Sequence, residues 1–403
     1  YLVYDNLGGD STISADYLKK VVEAILYRKY GDYCPDSYIK EIIESIKDNP
    51  IKLRPLKYHK KKTEPQKIQH SGKKSIFLIV NDKHDIHHIK DRGYVEAPVR
   101  IKHILNDILP LGIFNQNEAA KYPDHFITDV HDIKYFNYFK NVIQNIAADK
   151  SVYPYVFPIR NNARPPKDLS VRAGYYCIDT FTPLNKNAYL AARWGVNCAL
   201  TAADALLQGT KAAYVLTRPP GHHAEKSVFG GFCYFNNSAV AANYLSRYGK
   251  VAILDMDYHH GNGQQQIFYD RADVLTISIH GHPSFAYPYF SGFDSEKGEG
   301  DGLGYNVNFA LPETITADIY SNTLIKAVSR LKKFNPDFLI VSLGFDTSKG
   351  DPTGTWPLLT DDFFNNGRTI ASMGLPTIFM QEGGYKTQVL GKNAKAFFSG
   401  FYT

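Results

Sequence analysis

Short apolar, β-branched runs recur along this chain at Ile76–Val80, Ala213–Thr217, Val251–Asp255, Val274–Ile279, Phe338–Leu343 and Thr377–Met380. Runs of this length, apolar throughout rather than alternating, read as strands buried on both faces. Helical patterns separate them, at Pro98–Leu109, Ala188–Leu207, Ser238–Tyr248, Ala317–Lys333 and Thr360–Ser372. Strand and helix in alternation predict an α/β fold, a central and mostly parallel sheet with helices on both sides in three α/β/α layers. Thr360 before Asp361 and Asp362 reads as a helix N-cap with acidic first-turn residues.

Residues 1–75 differ in pattern. Amphipathic helices are expected at about Ser14–Tyr30 and Asp36–Asp48, followed by a polar basic stretch to Lys74. This divides the chain into a helical N-terminal extension with a basic linker, 1–75, and a catalytic domain, 76–403. Tyr153–Leu169 is expected to be a long surface loop. With 403 residues, 44% of them hydrophobic, the chain has ample material for a large core. The net charge of +6 is too mild to establish nucleic-acid binding. The basic cluster Lys57–Lys62 is read as a solvated linker, with nuclear targeting or polyanion binding as the alternative. Scattered cysteines at 34, 177, 198 and 233 point to reduced thiols in a cytosol-like compartment. No apolar run reaches the ~18 residues of a membrane span. The chain starts at Tyr1 without an initiator Met, so a longer precursor is expected.

The polar residues collect just past the strand ends, where open α/β sheets place their chemistry. After Leu254 come Asp255, Asp257 and His259; after Leu343 comes Asp346; after Thr217 come His222 and His223; after Met380 come Glu382, two glycines and Tyr385. On an extended segment Asp257 and His259 point to one side. With Asp346 they offer two carboxylates and an imidazole, a donor set suited to Zn²⁺ with an open position for water. The adjacent histidines suit a general base and acid, each needing an orienting partner, for which Asp255 and Asn262 are the candidates. Tyr385, freed by the glycines, is placed to donate to a developing oxyanion. Aromatic walls for a narrow pocket are expected from Phe232, beside Gly231, and from Tyr287.

All of these residues but Tyr287 lie in the segments Arg218–Ala224, Gly230–Ala242, Leu254–Gln264, Ser342–Thr347 and Glu382–Tyr385. Together and in this order, they resemble the histone deacetylase superfamily, most closely its acetylpolyamine amidohydrolase and class II branch, over about Ile76–Phe401. The resemblance implies the arginase–deacetylase fold and hydrolysis of the N-acetyl amide of acetyl-lysine or of acetylpolyamines. It assigns Asp257, His259 and Asp346 to Zn²⁺. It makes His223 the base, with Asn262 beside it, and His222 the electrostatic partner bonded to Asp255. Tyr385 polarises the acetyl carbonyl, and Gly231, Phe232 and Tyr287 line the substrate tunnel. It also implies a structural K⁺ at Asp255 and Ser278, with the backbone of Asp257 and His259, and a second cation held by carbonyls near Phe268, Arg271, Val274 and Tyr305. Where polyamine-selective relatives carry glutamates, this chain has Ser170 and Phe181, with Asp168 and Asp179 the nearest carboxylates. A homodimer, cytoplasmic residence and chromatin association through the basic segment are further expectations of this reading. Two alternatives stand beside it. A binuclear manganese ureohydrolase of the arginase type is disfavoured by the lone carboxylate after Leu343. A non-catalytic acyl-lysine binder is disfavoured by the complete residue set.

Overall fold

Along the strand Ala212–Leu216, Ala213 and Val215 pack into one buried apolar cluster and Ala212, Tyr214 and Leu216 into another. The strand Val251–Asp255 divides likewise, Val251 and Ile253 against Ala252 and Leu254. Period-two alternation with both faces buried is what a sheet sandwiched between helices requires. The computed structural model, which describes residues 15–48, 75–157 and 166–403, has that architecture. Eight strands form the main sheet. In chain order they are β1 (Ile76–Val80), β2 (Phe114–Asn117), β5 (Ala212–Leu216), β6 (Val251–Asp255), β7 (Val274–Gly281), β8 (Asn306–Leu311), β9 (Phe338–Leu343) and β10 (Thr377–Gln381). All neighbours pair in parallel, in the order β2-β1-β5-β10-β9-β6-β7-β8. The short strands β3 (Ser151–Val152) and β4 (Leu184–Asn185) form a separate antiparallel pair.

The helices of the N-terminal segment are α1 (Ala15–Tyr30) and α2 (Asp36–Asp48). The chain divides into two compact units, Tyr1–Glu64 with these two helices and Pro65–Thr403 with the other described elements. The larger unit continues with α3 (Val99–Ile108), α4 (His125–Thr128), α5 (Ile133–Val142), α6 (Leu169–Tyr175), α7 (Ala188–Leu207), α8 (Asn237–Leu245), α9 (Asn262–Phe268), α10 (Ala317–Phe334), α11 (Thr360–Ala371) and α12 (Thr387–Tyr402). Residues of α5, α7 and α8 share one core cluster; those of α3, α10, α11 and α12 share the other. The basic cluster Lys57–Lys62 and part of the loop within Tyr153–Leu169 lie outside the described residues. No described helix is long and apolar enough to cross a membrane.

The expected strands and helices form within a few residues of their predicted limits. β2 and β8 escaped prediction because they are the sheet's two edges. Each has one strand neighbour, so polar residues are tolerated, as in Phe114-Asn-Gln-Asn117 and Asn306-Val-Asn308. The helix cap also differs. Leu359 is the N-cap of α11, and the Asp362 carboxylate accepts its N–H at 2.7 Å. Thr360 is already helical and its hydroxyl bonds Asn393 instead.

A buried histidine ties distant chain segments together. His131 donates from Nδ1 to the Glu225 carbonyl at 2.8 Å, and its Nε2 accepts the Asn236 N–H at 2.9 Å. Asn236 in turn caps α8, its side chain accepting the Ala239 N–H. Burial pushes the His131 pKa down from 6.5 to about 4. The folded value lies below the unfolded one, so this contribution is fully present above pH 6.5 and lost as pH falls from 6.5 to about 4. Protonating Nε2 would set two donors against each other, at a cost on the order of 3 kcal/mol. Thermal unfolding across that interval should show a falling midpoint, with a shallower slope in His131→Asn. An unchanged slope in the variant would remove His131 from the acid response.

Candidate active site

The motif-bearing loops follow β5, β10, β9 and β6, which are four consecutive neighbours at the sheet centre. Because the strands are parallel, their carboxyl ends open on one edge, and every chemical motif meets there.

Asp257, His259 and Asp346 converge. His259 Nδ1 lies 3.2 Å from Asp257 Oδ1 and 3.1 Å from Asp346 Oδ2. The three ligand atoms lie within 4.8 Å of one another. Tetrahedral ligands at zinc's ~2.0–2.1 Å bonds stand roughly 3.3 Å apart, so the donor set and spacing fit that ion. The convergence does not come from an extended segment. Asp257 Oδ1 accepts the His259 N–H at 3.0 Å, so the chain turns at once after β6. Asp346 Oδ1 accepts the Tyr258 N–H at 2.8 Å, and Asp257 Oδ2 the Gly383 N–H at 2.7 Å. Gly383 is glycine because a Cβ there would sit 2.3 Å from Asp346 Oδ2 and 2.6 Å from Asp257 Oδ2. Burial and the Asp257 charge push the Asp346 carboxyl up to about 7. Burial opposes charge on His259, but hydrogen bonds to both carboxylates raise it to about 10. This excess of buried carboxylate is the electrostatic condition for holding a cation.

The histidines beside this cluster stand in unequal settings. His222 Nδ1 is 3.0 Å from Asp255 Oδ2, and His223 Nδ1 is 2.8 Å from Asn262 Oδ1. Burial opposes charge on His222, yet Asp257 and Asp255 raise it to about 10. Burial, then the charges of His222 and His259, lower His223 well below 6.5. Asn262 donates to the Glu225 carboxylate at 2.7 Å, so its oxygen is directed to His223. Asp255 also accepts from Gln264 at 2.6 Å and pairs in register with Ser278 on β7. The Ser278 hydroxyl meets His280 Nδ1 at 2.8 Å.

Tyr385 sits on a buried scaffold that the sequence reading missed. The Arg100 guanidinium lies 4.6 Å from the centre of its ring and donates to the Gly384 carbonyl at 2.7 Å and to that of Glu382. Glu96 joins Arg100 to Arg218 through hydrogen bonds of 3.0 and 2.6 Å. Burial disfavours the Glu96 charge, but Arg218 and then Arg100 hold its pKa at about 2. Asp351 accepts the Tyr385 N–H at 2.6 Å. Burial holds the phenol well above its ordinary 10, so it remains a donor. One signal was available in the sequence: Arg100 shares the helical stripe of Ile104 and Ile108, and a charge on an apolar stripe needs a buried partner. Glu382 was likewise unassigned. Its carboxylate accepts the Gly221 and His222 N–H groups at 2.7 and 3.2 Å and bridges the two motif loops.

Aromatic rings line the approach. Phe232 lies 5.8 Å from Tyr385, and Tyr287 lies 4.7 Å from His223, centroid to centroid. Phe181 packs on both, at 5.5 and 5.4 Å. Gly231 backs onto His223, where a Cβ would come 2.1 Å from the ring. Asp179 is buried among backbone donors, and Asp168 accepts the Val171 N–H near the start of α6.

Comparison with known proteins identifies the family. Residues 94–401 match the histone deacetylase domain. Acetylpolyamine amidohydrolase 2 of Pseudomonas aeruginosa is 38% identical over 81% of this chain and 98% of its own length. Histone deacetylase 6 of Caenorhabditis elegans is 36% identical over 51% of this chain and 22% of its own. The crystal structure of acetylpolyamine aminohydrolase from Burkholderia pseudomallei superposes with a TM-score of 0.77 at 37% identity, covering 81% of this chain and 98% of that one. The chain therefore belongs to the histone deacetylase family and is a deacetylase of the acetylpolyamine amidohydrolase and histone deacetylase type.

Proposed function

We propose that the enzyme hydrolyses N-acetyl amides of linear amines with a single Zn²⁺ held by Asp257, His259 and Asp346. The observation that carries this reading is the meeting of that ligand cluster with His222, His223 and Tyr385 on one sheet edge. When bound, zinc supplies Lewis-acid activation of water and of the acetyl carbonyl. His223 donates from Nδ1 to Asn262, which leaves Nε2 with a lone pair to take the proton of the attacking water and return it to the departing amine. A neutral partner stabilises imidazolium less than a carboxylate does, which favours that return. His222, paired with Asp255, keeps positive charge beside the developing anion. The Tyr385 phenol donates to the oxyanion of the acetyl group. Phe232, Tyr287 and Gly231 confine the methylene chain. A structural K⁺ at Asp255 and Ser278 belongs to the same proposal, supported by their direct pairing across β6 and β7. Residues 1–75 are proposed as an extension separate from the catalytic domain of residues 76–403.

The substrate proposal covers both acetylpolyamines, which several relatives are named for, and acetyl-lysine in peptides. Phe181, 39% exposed, stands at the mouth where a cation-binding carboxylate would favour polyamines, and Asp179 is occupied by protein donors. An exposed ion pair contributes about 0–1 kcal/mol, so turnover of acetylputrescine, acetylspermidine and an acetyl-lysine peptide should agree within about tenfold in kcat/KM. A far stronger preference for one substrate would show that a recognition element lies elsewhere. Failure to hydrolyse any of the three would overturn the reaction itself.

A further inference from the structure

Asp179 is buried, 7% exposed, between Gly231 and Tyr287, and its carboxylate makes no ion pair among the described residues. Six protein donors surround it, the Cys177 thiol at 3.9 Å from Oδ1 being the longest contact. Oδ1 accepts the N–H of Phe181 at 3.0 Å and of Thr182 at 2.9 Å. Oδ2 accepts the Thr182 hydroxyl at 3.0 Å, the Gly231 N–H at 2.6 Å and the Tyr287 phenol at 2.9 Å. The Thr182 hydroxyl oxygen also accepts the Phe232 N–H at 3.0 Å. Asp179 and Thr182 therefore capture two successive amides of one tunnel wall, while the same carboxylate holds the hydroxyl of the other.

The captured turn needs holding. Gly231 and Phe232 both have positive φ, 56° and 66°. Glycine takes that conformation without penalty, but for an aromatic residue it is strained and persists where the surroundings over-determine it. Charge-assisted hydrogen bonds to buried backbone donors are the strong kind. The turn also packs tightly, since a Cβ on Gly230 would come 2.9 Å from both Asp179 Oδ2 and the Tyr287 hydroxyl. Phe181, two residues on, closes the arrangement by packing on both Phe232 and Tyr287.

We infer that Asp179 is a positioning residue for the substrate tunnel, setting the gap between Phe232 and Tyr287 through hydrogen bonds to Gly231 and Tyr287 and through Thr182. The inference rests on the proposed role of those aromatic residues as tunnel walls. Asp179 touches no group of the ligand cluster or the histidine pair in the hydrogen-bond network, so the expected effect falls on substrate binding. Asp179→Asn keeps the shape but turns an NH₂ toward the donors or halves their acceptors. It should raise KM for an acetyl-lysine peptide by about tenfold, the order of one lost charge-assisted bond, and leave kcat within about threefold. Zinc content should stay at the wild-type level. Tyr287→Phe, which deletes one donor and keeps the ring, should raise KM by a smaller factor. The double variant should be no worse than Asp179→Asn alone, because the phenol acts through that carboxylate. Additive effects, or a loss confined to kcat, would overturn the inference, and so would an unchanged KM in Asp179→Asn. If Asp179→Asn fails to fold, an unchanged KM in Tyr287→Phe overturns it. Wild-type turnover measured alongside separates the two levels: an inactive wild type refutes the proposed reaction, whereas an active wild type with unaffected variants refutes only the role of Asp179.

Discussion

Asp257→Ala is expected to remove zinc and activity together. The wild-type side chain offers Oδ1 to the ligand cluster and holds the Gly383 N–H with Oδ2. Its loss leaves Asp346 and His259 as two ligands where catalytic zinc sites use three. It also frees the Gly383 backbone that carries the Tyr385 loop. Bound metal, measured by elemental analysis after dialysis, should fall from near one equivalent per chain to a small fraction of that. The loss in kcat/KM should be at least about 10³-fold, a barrier increase of about 4 kcal/mol. Retention of both metal and turnover would show that the ion is held by another donor set, and the assignment of the whole centre would fail.

His223→Ala should separate metal from chemistry. Its imidazole is not among the three clustered ligand atoms, and its Nδ1 is committed to Asn262. Zinc should therefore stay bound while kcat falls by about 10²–10⁴-fold, the range of a lost general base. A compact inhibitor that chelates the metal should bind with affinity close to that of the wild type. If kcat instead survives within tenfold, proton transfer proceeds through another group, and His222 becomes the candidate. Parallel loss of zinc would mean that His223 supports the centre rather than the proton transfer.

Much of this site was legible in the chain because its parts are local. Asp255, Asp257, His259 and Asn262 fall within one strand end and the turn after it, so their spacing alone restricts their chemistry. His222 and His223 are adjacent, and Tyr385 follows its two glycines. The buried strands were legible for a similar reason, since continuous apolar runs have few alternatives once helices separate them. The edge strands β2 and β8 were not, because a strand with one neighbour and a polar face carries a weaker pattern. Arg100, Glu96, Asp179 and Glu382 each also bond partners 52 to 284 positions away, and no local window contains both ends of those contacts.

The sequence by itself determined the reaction class and the candidates for the reacting groups, because the capacity to ligate a metal, carry a proton or donate to an oxyanion is a property of residue type and short spacing. Only the tertiary structure decided that β5, β10, β9 and β6 lie side by side, which brings strand ends from Leu216 to Gln381 to one edge. It alone placed Arg100 against the Tyr385 ring and Asp179 between Gly231 and Tyr287. The physical reason is that strand order and buried hydrogen-bond partners are chosen by long-range packing, for which the cost of an unsatisfied polar group is felt only once the chain has closed around it.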